Sequence, residues 1–119
     1  MRFETIQIDW QGDGRVEGFI RFRVSREHNG RAGVYTFTVN GRIMYVGQTF
    51  SLARRVNDGY GNIAPANVGP NGRRTNVRIN QLIQQAGIEN VELQFVEVDN
   101  RQALESEMIQ SLHPEWNGA

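Results

Sequence analysis

One carboxylate near the end of the chain stands among residues expected to be apolar. Residues 100–112 are predicted to form a helix, with Asp99 or Asn100 as its cap. At about 100° per residue, Leu104, Met108 and Leu112 share one arc, and Glu105 falls inside it. An ionised carboxylate there is costly unless it pairs with a cation or binds a metal. Glu105 is therefore either half of a structural salt bridge to an arginine or a metal ligand.

A second charged candidate lies on a short helix predicted to follow Ser51 and to run to about residue 57. Leu52 and Val56 form its inward stripe, with Arg55 flanking that stripe and Arg54 on the opposite side. The planar guanidinium fork can bind two phosphate oxygens and keeps its charge at every physiological pH. Arg55 is thus a candidate anion ligand, although the usual meaning of an arginine pair on a short helix is surface solvation.

Two tripeptides connect these residues to a known type of site. Gly33-Val34-Tyr35 is followed by Tyr45-Val46-Gly47, and Arg55 comes eight positions after Gly47. Glu105 is followed nine positions later by Pro114, and then by Trp116-Asn117. Together these motifs resemble those of the GIY-YIG nuclease superfamily, and the resemblance covers about two-thirds of the chain, residues 33–117.

The resemblance implies a metal-dependent endonuclease that hydrolyses phosphodiester bonds in DNA, with RNA not excluded. It implies that Glu105 holds one Mg²⁺ or Mn²⁺ ion and that Arg55 holds the scissile phosphate. Mg²⁺ suits a site with one carboxylate because it keeps several waters and takes substrate phosphate oxygens. The resemblance assigns activation of the attacking water to Tyr35, with Tyr45 ordering the water network.

The chain departs from the family pattern at two positions. A Tyr or His often follows the helix arginine by four residues, where this chain has Gly59, and Tyr60 is the candidate to replace it from the loop. A lysine is common after the second tripeptide, where this chain has Gln48. Because Gln48 brings no charge, activation of the phosphate or of the tyrosine would depend more on Arg55.

The pattern of apolar residues predicts an α+β domain: a small antiparallel sheet flanked by helices. The predicted order is strands 3–10 and 16–24 around a turn at 11–14, a hairpin at 33–47, a helix at 51–57, a structureless loop at 58–74, a helix from 75 or 76 to 86, a strand at 91–98 and a helix at 100–112. Residues 1–119 are expected to form one domain, with 1–32 a β-hairpin extension and 33–117 a GIY-YIG-like core of order β-β-α-α-β-α.

The tyrosines impose a constraint on the central hairpin. Asn40-Gly41 is a strong turn signal. A two-residue turn there would place Tyr35 and Tyr45 on opposite faces, whereas a three-residue loop would pair them on one face. A shared active site requires one face, so the sequence predicts the three-residue loop, or a bulge in its place.

Charge is unevenly distributed although the formal net charge is zero. All thirteen basic residues are arginine, and residues 15–80 hold eleven of them against three acids, a local excess of +8. Local charge governs contacts with a phosphate backbone. The candidate nucleic-acid contacts are Arg54, Tyr60, Arg73, Arg74 and Arg78.

Composition excludes some classes of protein. Cysteine is absent, which excludes disulfides and thiolate metal sites. No apolar run is long enough to span a bilayer and no signal peptide is apparent, so a cytoplasmic location without membrane association is expected.

Since one active site cuts one strand, double-strand cleavage would need a homodimer or two events. The alternatives are an inactive nucleic-acid-binding module of the same fold and a protein-interaction domain that uses the N-terminal hairpin edge.

Overall fold

The computed structural model describes residues 1–70, 72 and 74–118, so Arg73, a predicted nucleic-acid contact, lies outside the described residues. Within them, the strands are β1 Glu4–Ile6, β2 Asp9–Asp13, β3 Ile20–Arg23, β4 Gly33–Val39, β5 Arg42–Thr49 and β6 Val91–Glu97. The α-helices are α1 Leu52–Arg55, α2 Arg74–Ala86 and α3 Arg101–Leu112. All strand pairs are antiparallel, and the predicted α+β class is confirmed.

The main sheet has four strands in the order β1-β6-β4-β5. Strand β4 pairs with both neighbours, and six of its seven residues are buried. Gly33 begins it, and a Cβ there would lie 2.0 Å from the Val96 carbonyl oxygen, so only glycine allows this close pairing. One face of the sheet packs the aromatic side chains against α1 and α2, while the other packs Val34, Val46 and Val96 against Leu104 of α3. The main sheet therefore has one hydrophobic core on each face.

The N-terminal residues differ from the predicted hairpin. The predicted strand 3–10 is two strands: β1 joins the edge of the main sheet beside β6, and β2 pairs with β3 in a separate two-stranded sheet. The predicted turn at 11–14 was wrong, because β2 continues to Asp13 and the connection follows it. A bulge near Gly12, whose φ is 89°, keeps β2 paired across that segment. Period-two alternation runs through both strands, so the pattern alone could not locate the break between them.

The central hairpin satisfies the tyrosine constraint by the second of the two predicted routes, a bulge. The three-residue loop was wrong: Asn40 and Gly41 form a two-residue turn with φ of 50° and 84°, and Val39 pairs with Arg42. The register shifts farther along, where Met44 is an extra residue between the pairs Thr38–Ile43 and Phe37–Tyr45. Met44 and Tyr45 consequently pack toward the same core. This bulge places Tyr45 on the face of Tyr35.

The first helix is longer than predicted. The α-helical residues of α1 continue into a π-helical turn, Val56–Tyr60, which takes the first part of the predicted loop 58–74. A 3₁₀ turn at Pro65–Val68 occupies more of that loop, which is therefore not structureless. Ser51 precedes α1 as predicted, but its hydroxyl accepts a hydrogen bond from Gly30 at 2.9 Å and does not cap the helix.

The two later helices lie close to their predicted positions. The α2 helix begins at Arg74, one or two residues before the predicted start at 75 or 76, and ends at Ala86, where Gly87 adopts a φ of 89°. In α3, Leu104 is buried, but Leu112 is 48% exposed, so its predicted place in the apolar arc was wrong. The final turn of α3 lies beyond the apolar cluster. Within the described residues, none of the helices has the length and apolar character needed to cross a bilayer.

Asparagine side chains dock the N-terminal sheet onto the helices. The Asn57 amide pairs with both the N–H and the C=O of Val24, at 2.8 and 3.0 Å. The Asn80 amide accepts from the Ile20 N–H at 3.2 Å and donates to the carbonyls of Ile20 and Tyr60 at 2.9 and 2.8 Å. Each amide thus takes the place of a neighbouring strand along β3. These contacts add to the β1–β6 pairing in fixing residues 1–32 to the rest of the domain.

Replacing Asn80 with Ala should destabilise the fold, because Asn80 is fully buried and three backbone groups would lose their partner. A loss of about 1–3 kcal/mol in the free energy of unfolding is expected. Urea denaturation measures it, and amide exchange should accelerate most in β2 and β3. The control is Gln85→Ala, an exposed position on the same helix. Equal midpoints for the two variants would contradict this account of the docking.

Candidate active site

All three tyrosines of the chain lie together on one face of the sheet. The Tyr35 and Tyr60 hydroxyl oxygens are 2.7 Å apart, and the Tyr60 hydroxyl lies 3.5 Å from that of Tyr45. Tyr35 and Tyr60 are almost completely buried, whereas Tyr45 is half-buried. The structure therefore brings the two predicted tyrosines together and adds the third between them.

Gly47 makes room for the Tyr35 ring. It lies directly across from Tyr35 in the β4–β5 pairing, and a Cβ there would lie 2.4 Å from the Tyr35 hydroxyl oxygen and Cζ. Any larger residue would force the ring to move. The last glycine of the second tripeptide thus has a steric role, which is to let the tyrosine of the first tripeptide lie flat across β5.

Tyr60 reaches the cluster because the helix contains one extra residue. The Gly61 N–H donates to the Val56 carbonyl at 2.8 Å, a bond over five residues that defines the π turn. Gly59 lies inside that turn, where a Cβ would be 2.6 Å from a terminal nitrogen of Arg55. Tyr60 therefore occupies a helical turn and not the loop from which it was predicted to act. Because its side chain is fully buried, it does not lie on a surface that a nucleic acid could touch.

Arg55 is held against the tyrosines without an acidic partner. Its Nη1 donates to Asn76 Oδ1 at 2.7 Å, and its guanidinium carbon lies 4.0 Å from the centroid of the Tyr60 ring. None of the ion pairs among the described residues includes Arg55. Burial lowers the pKa of Arg55, but the hydroxyls of Tyr60 and Tyr35 outweigh it and leave the pKa raised. The site therefore contains a permanent, half-buried positive charge.

The hydroxyl beside that charge stays protonated at neutral pH. Burial raises the pKa of Tyr35 to about 12, and the nearby Arg55 charge lowers it only in part. Burial also raises the pKa of Tyr60 well above its ordinary value. Tyr35 can therefore donate or accept a hydrogen bond at pH 7, but it is not a phenolate base.

Glu105 is half-buried on α3, beside the outer edge of β5. Burial raises the pKa of its carboxyl, and a hydrogen bond from the Gln48 backbone amide partly offsets that rise. The salt bridge considered from sequence is not found: among the described residues, none of the ion pairs includes Glu105. Gln48 in turn accepts a hydrogen bond from Arg101 at 2.9 Å through its side chain.

The end of the chain closes the edge of β5 next to Glu105. The Asn117 amide pairs with both the N–H and the C=O of Val46 at 2.8 Å, and the Trp116 N–H donates to the Met44 carbonyl at 2.7 Å. Consecutive residues of β5 thus serve different partners: Val46 holds the tail, Gly47 supports Tyr35 and Gln48 contacts Glu105. The carboxylate and the tyrosine cluster meet at this strand from opposite faces of the sheet.

Sequence reasoning missed the contact between Arg55 and Asn76. The signal was present in α2, where Asn76, Ile79, Asn80 and Ile83 recur at helical spacing and are all buried. Two asparagines in an otherwise apolar stripe indicate buried polar partners. One of them positions Arg55, and the other docks β3.

The other predicted arginine contacts do not form one surface. Arg54 is exposed, stacks over Phe50 at 5.5 Å, and lines a groove beside the N-terminal sheet. Arg74 and Arg78 line a different cavity at the start of α2. Arg55 is therefore near the tyrosines, while Arg54 is on the far side of α1.

The oxygen ligands available for a metal are few. Within residues 1–70, 72 and 74–118 there is no group of three or more His, Asp or Glu side chains that could hold an ion. Mg²⁺ is commonly bound by one or two carboxylates together with waters and substrate phosphate. Glu105, which is half-buried and lacks a cationic partner among the described residues, fits that kind of site.

Comparison with known proteins returned no match: no family model, no curated protein and no solved structure matches this chain.

Raising the pH should destabilise the protein through Tyr35. Its folded pKa of about 12 exceeds the ordinary value of 10.0, so the unfolded chain loses a proton that the folded protein keeps. Stability should therefore fall between about pH 10 and pH 12, by roughly 1–3 kcal/mol. Urea denaturation at pH 9 and pH 11 measures the fall. Tyr35→Phe should reduce this loss of stability, and Tyr45→Phe is the control. Absorbance at 295 nm follows tyrosine ionisation in the folded protein. Ionisation of all three tyrosines near pH 10 would overturn the raised pKa of Tyr35.

Glu105→Gln should stabilise the protein in the absence of metal. Because the folded pKa of Glu105 is raised, the cost of ionising it is absent at low pH and is felt in full once the pH exceeds the folded pKa. At pH 7 the neutral isostere avoids this cost. The measurement is the urea midpoint in EDTA at pH 7, with Glu107→Gln, an exposed position on the same helix, as the control. A lower midpoint for Glu105→Gln than for the control would contradict the prediction.

Proposed function

We propose that this protein is a metal-dependent endonuclease of GIY-YIG type that hydrolyses phosphodiester bonds in DNA. The observation that carries the proposal is a pair of opposite charges that do not neutralise each other. Arg55 and Glu105 are both half-buried, and neither has an ionic partner among the described residues. Uncompensated charges in such positions are costly. A phosphate with a divalent cation would bind across the edge of β5, where the phosphate would pair with Arg55 on one face of the sheet and the cation with Glu105 on the other.

Arg55 would bind the scissile phosphate. Asn76 and the Tyr60 ring hold one side of its guanidinium, so its direction is set before substrate arrives. A preorganised cation stabilises charge that develops on the phosphoryl oxygens without reorganising during the reaction. Its planar fork can contact two of those oxygens.

Glu105 would hold the divalent ion. A bound Mg²⁺ or Mn²⁺ supplies Lewis-acid polarisation of the phosphate. The Gln48 backbone amide donates to the Glu105 carboxylate and so orients it. Its proposed role needs the ionised form, and the raised pKa therefore predicts that metal binding weakens toward acidic pH.

Tyr35 would orient the attacking water indirectly, as a neutral hydrogen-bond partner in the hydroxyl chain from Tyr35 through Tyr60 to Tyr45, because Tyr35 is buried and Tyr45 is the half-buried member. Its hydroxyl is fixed by the Tyr60 hydroxyl at 2.7 Å, and Tyr45, the most exposed of the three, borders the cluster on the open side. The high pKa of Tyr35 argues against a phenolate base at neutral pH. This differs from the general-base role that the resemblance implies, and it assigns Tyr35 to orientation.

The topology supports the same proposal. Residues 33–117 follow the order β-β-α-α-β-α, which is similar to the core of the GIY-YIG superfamily. Each motif residue also has a local reason: Gly47 admits the Tyr35 ring, and Asn117 fastens the tail to β5. One site would cut one strand, so a double-strand break would require a homodimer or two events. A cytoplasmic location belongs to the same proposal.

Glu105→Ala should abolish cleavage while the fold is retained. The assay is incubation with linear, nicked and branched DNA, and with RNA, in Mg²⁺ or Mn²⁺. Glu107→Ala is the matched control on α3. Mg²⁺ should also raise the melting temperature of the wild type and not of Glu105→Ala, because only a state that binds metal gains stability from it. Undiminished cleavage by Glu105→Ala would refute the proposal; salt-sensitive binding without cleavage by the wild type would instead identify a non-catalytic nucleic-acid-binding module.

Arg55→Lys should lower kcat by about 10²-fold or more, since removing one preorganised donor to a developing anion typically costs that much. Lysine keeps the charge but lacks the planar fork and the stacking on Tyr60. Single-turnover cleavage measures the effect. Arg54→Lys, at the adjacent exposed position, should retain most of the activity. Equal rates for the two lysine variants would contradict the role of Arg55.

A further inference from the structure

A large groove lies between the N-terminal sheet and the first helix. Its volume is about 930 Å³, and its walls come from β2, β3, the residues that follow β3, α1 and the π turn. Gly61 closes its floor, where the Gly61 carbonyl accepts from the Phe22 N–H at 3.0 Å and a Cβ would lie 1.9 Å from the Phe22 carbonyl oxygen. The groove is distinct from the tyrosine cluster, because Arg55 and the tyrosines do not line it.

Positive charge predominates along this groove. Four arginines line it, together with two aspartates: Arg21, Arg23, Arg26, Arg54, Asp9 and Asp58. Arg23 and Asp9 form an exposed pair at 3.4 Å, which partly neutralises both. Arg21, Arg26 and Arg54 have no ionic partner among the described residues, and Asp58 is the remaining acid on the walls. Amide side chains such as those of Asn29 and Asn62 add hydrogen-bonding groups between the arginines.

The groove walls are fixed relative to each other. Asn57 and Val24 both line the groove, and the Asn57 amide bonds both backbone groups of Val24, while Asn80 of α2 holds Ile20. A charged groove held open in this way needs little reorganisation to take a ligand, which lowers the cost of binding. Its arginines suit repeated phosphates better than a single carboxylate, because they are spread along two strands and a helix.

We propose that this groove binds the phosphodiester backbone of a nucleic-acid strand outside the site of cleavage, an inference that rests on the proposed nuclease function. Helix α1 separates the two sites, with Arg54 facing the groove and Arg55 facing the tyrosines. A helix is about 10–12 Å wide, a distance that a strand covers in about three nucleotides at about 3.4 Å each. The N-terminal sheet thereby supplies a nonspecific grip beside the active site.

The test compares two double variants with equal loss of charge. Arg21→Gln/Arg26→Gln removes two groove cations, and Arg15→Gln/Arg42→Gln removes two exposed cations elsewhere. Each pair is made in the full chain carrying Glu105→Ala, so that substrate is not consumed. Anisotropy of labelled duplex DNA, single-stranded DNA and single-stranded RNA is then measured from 50 to 300 mM salt, and the three probes distinguish the source of the strand.

The groove variant should bind at least one probe about tenfold more weakly at 100 mM salt. Its plot of log affinity against log salt should be shallower by about 1.4–1.8, since each lost phosphate contact reduces the slope by about 0.7–0.9. The control variant should keep both affinity and slope close to those of the parent. Matching slopes for the two variants would overturn the groove proposal.

Cleavage by the wild-type protein, which keeps Glu105, separates the two proposals. If that protein cleaves with Mg²⁺ while the groove variant keeps the parent salt slope, the groove proposal fails and the nuclease proposal stands. If the two double variants show the predicted salt slopes but the wild-type protein does not cleave, the nuclease proposal fails and the groove remains a binding site. If the parent binds none of the three probes, the groove proposal fails, and cleavage by the wild-type protein alone decides the nuclease proposal.

Discussion

One extra residue in β5 determines how the whole candidate site is assembled. The bulge at Met44 shifts the pairing of the following residues, so that Tyr45 and Gly47 face the tyrosine core and Val46 faces α3. The shift also leaves the backbone groups of Val46 pointing outward to Asn117, and it exposes the Met44 carbonyl to Trp116. Without it, every side chain after Met44 would change faces, since strands have a period of two. Tyr35 would then lose both its glycine platform and its tyrosine neighbours.

This dependence explains which parts of the site could be predicted from the sequence. The position of the Asn40-Gly41 turn was predicted correctly, because an Asn-Gly pair itself favours the turn conformation, but its length was not, because the tyrosine constraint was assigned to the loop. The bulge was not located, because its position depends on pairing with β4 and no residue type marks it. Helical spacing correctly placed Glu105 at a half-buried position, yet the same spacing misplaced Leu112, which lies beyond the neighbouring apolar cluster. Periodicity gives the direction of a side chain and not the extent of the surface opposite it.

The π turn is a second case of a single added residue with a long-range effect. It rotates Tyr60 into the core at five residues from Arg55, where an unbroken α-helix would direct the fourth residue. This arrangement needs glycine at position 59, because a Cβ there would strike Arg55. Gly59 and Tyr60 are therefore linked: the glycine leaves room for Arg55, and the tyrosine that follows it enters the core. The sequence predicted that Tyr60 would act from a loop, whereas the structure places it in a helical turn with its side chain in the core.

The candidate site is arranged at some expense to stability. Arg55 and Glu105 would each lower their electrostatic cost by forming an ion pair, but among the described residues neither does. Instead, neutral groups hold them: Asn76 and the Tyr60 ring for Arg55, and the Gln48 amide for Glu105. Neutral partners fix direction without neutralising charge, so each charge remains available to a ligand of opposite sign. A purely structural ion pair would have been satisfied internally, and that difference is the physical argument for a binding or catalytic role at this edge of the sheet.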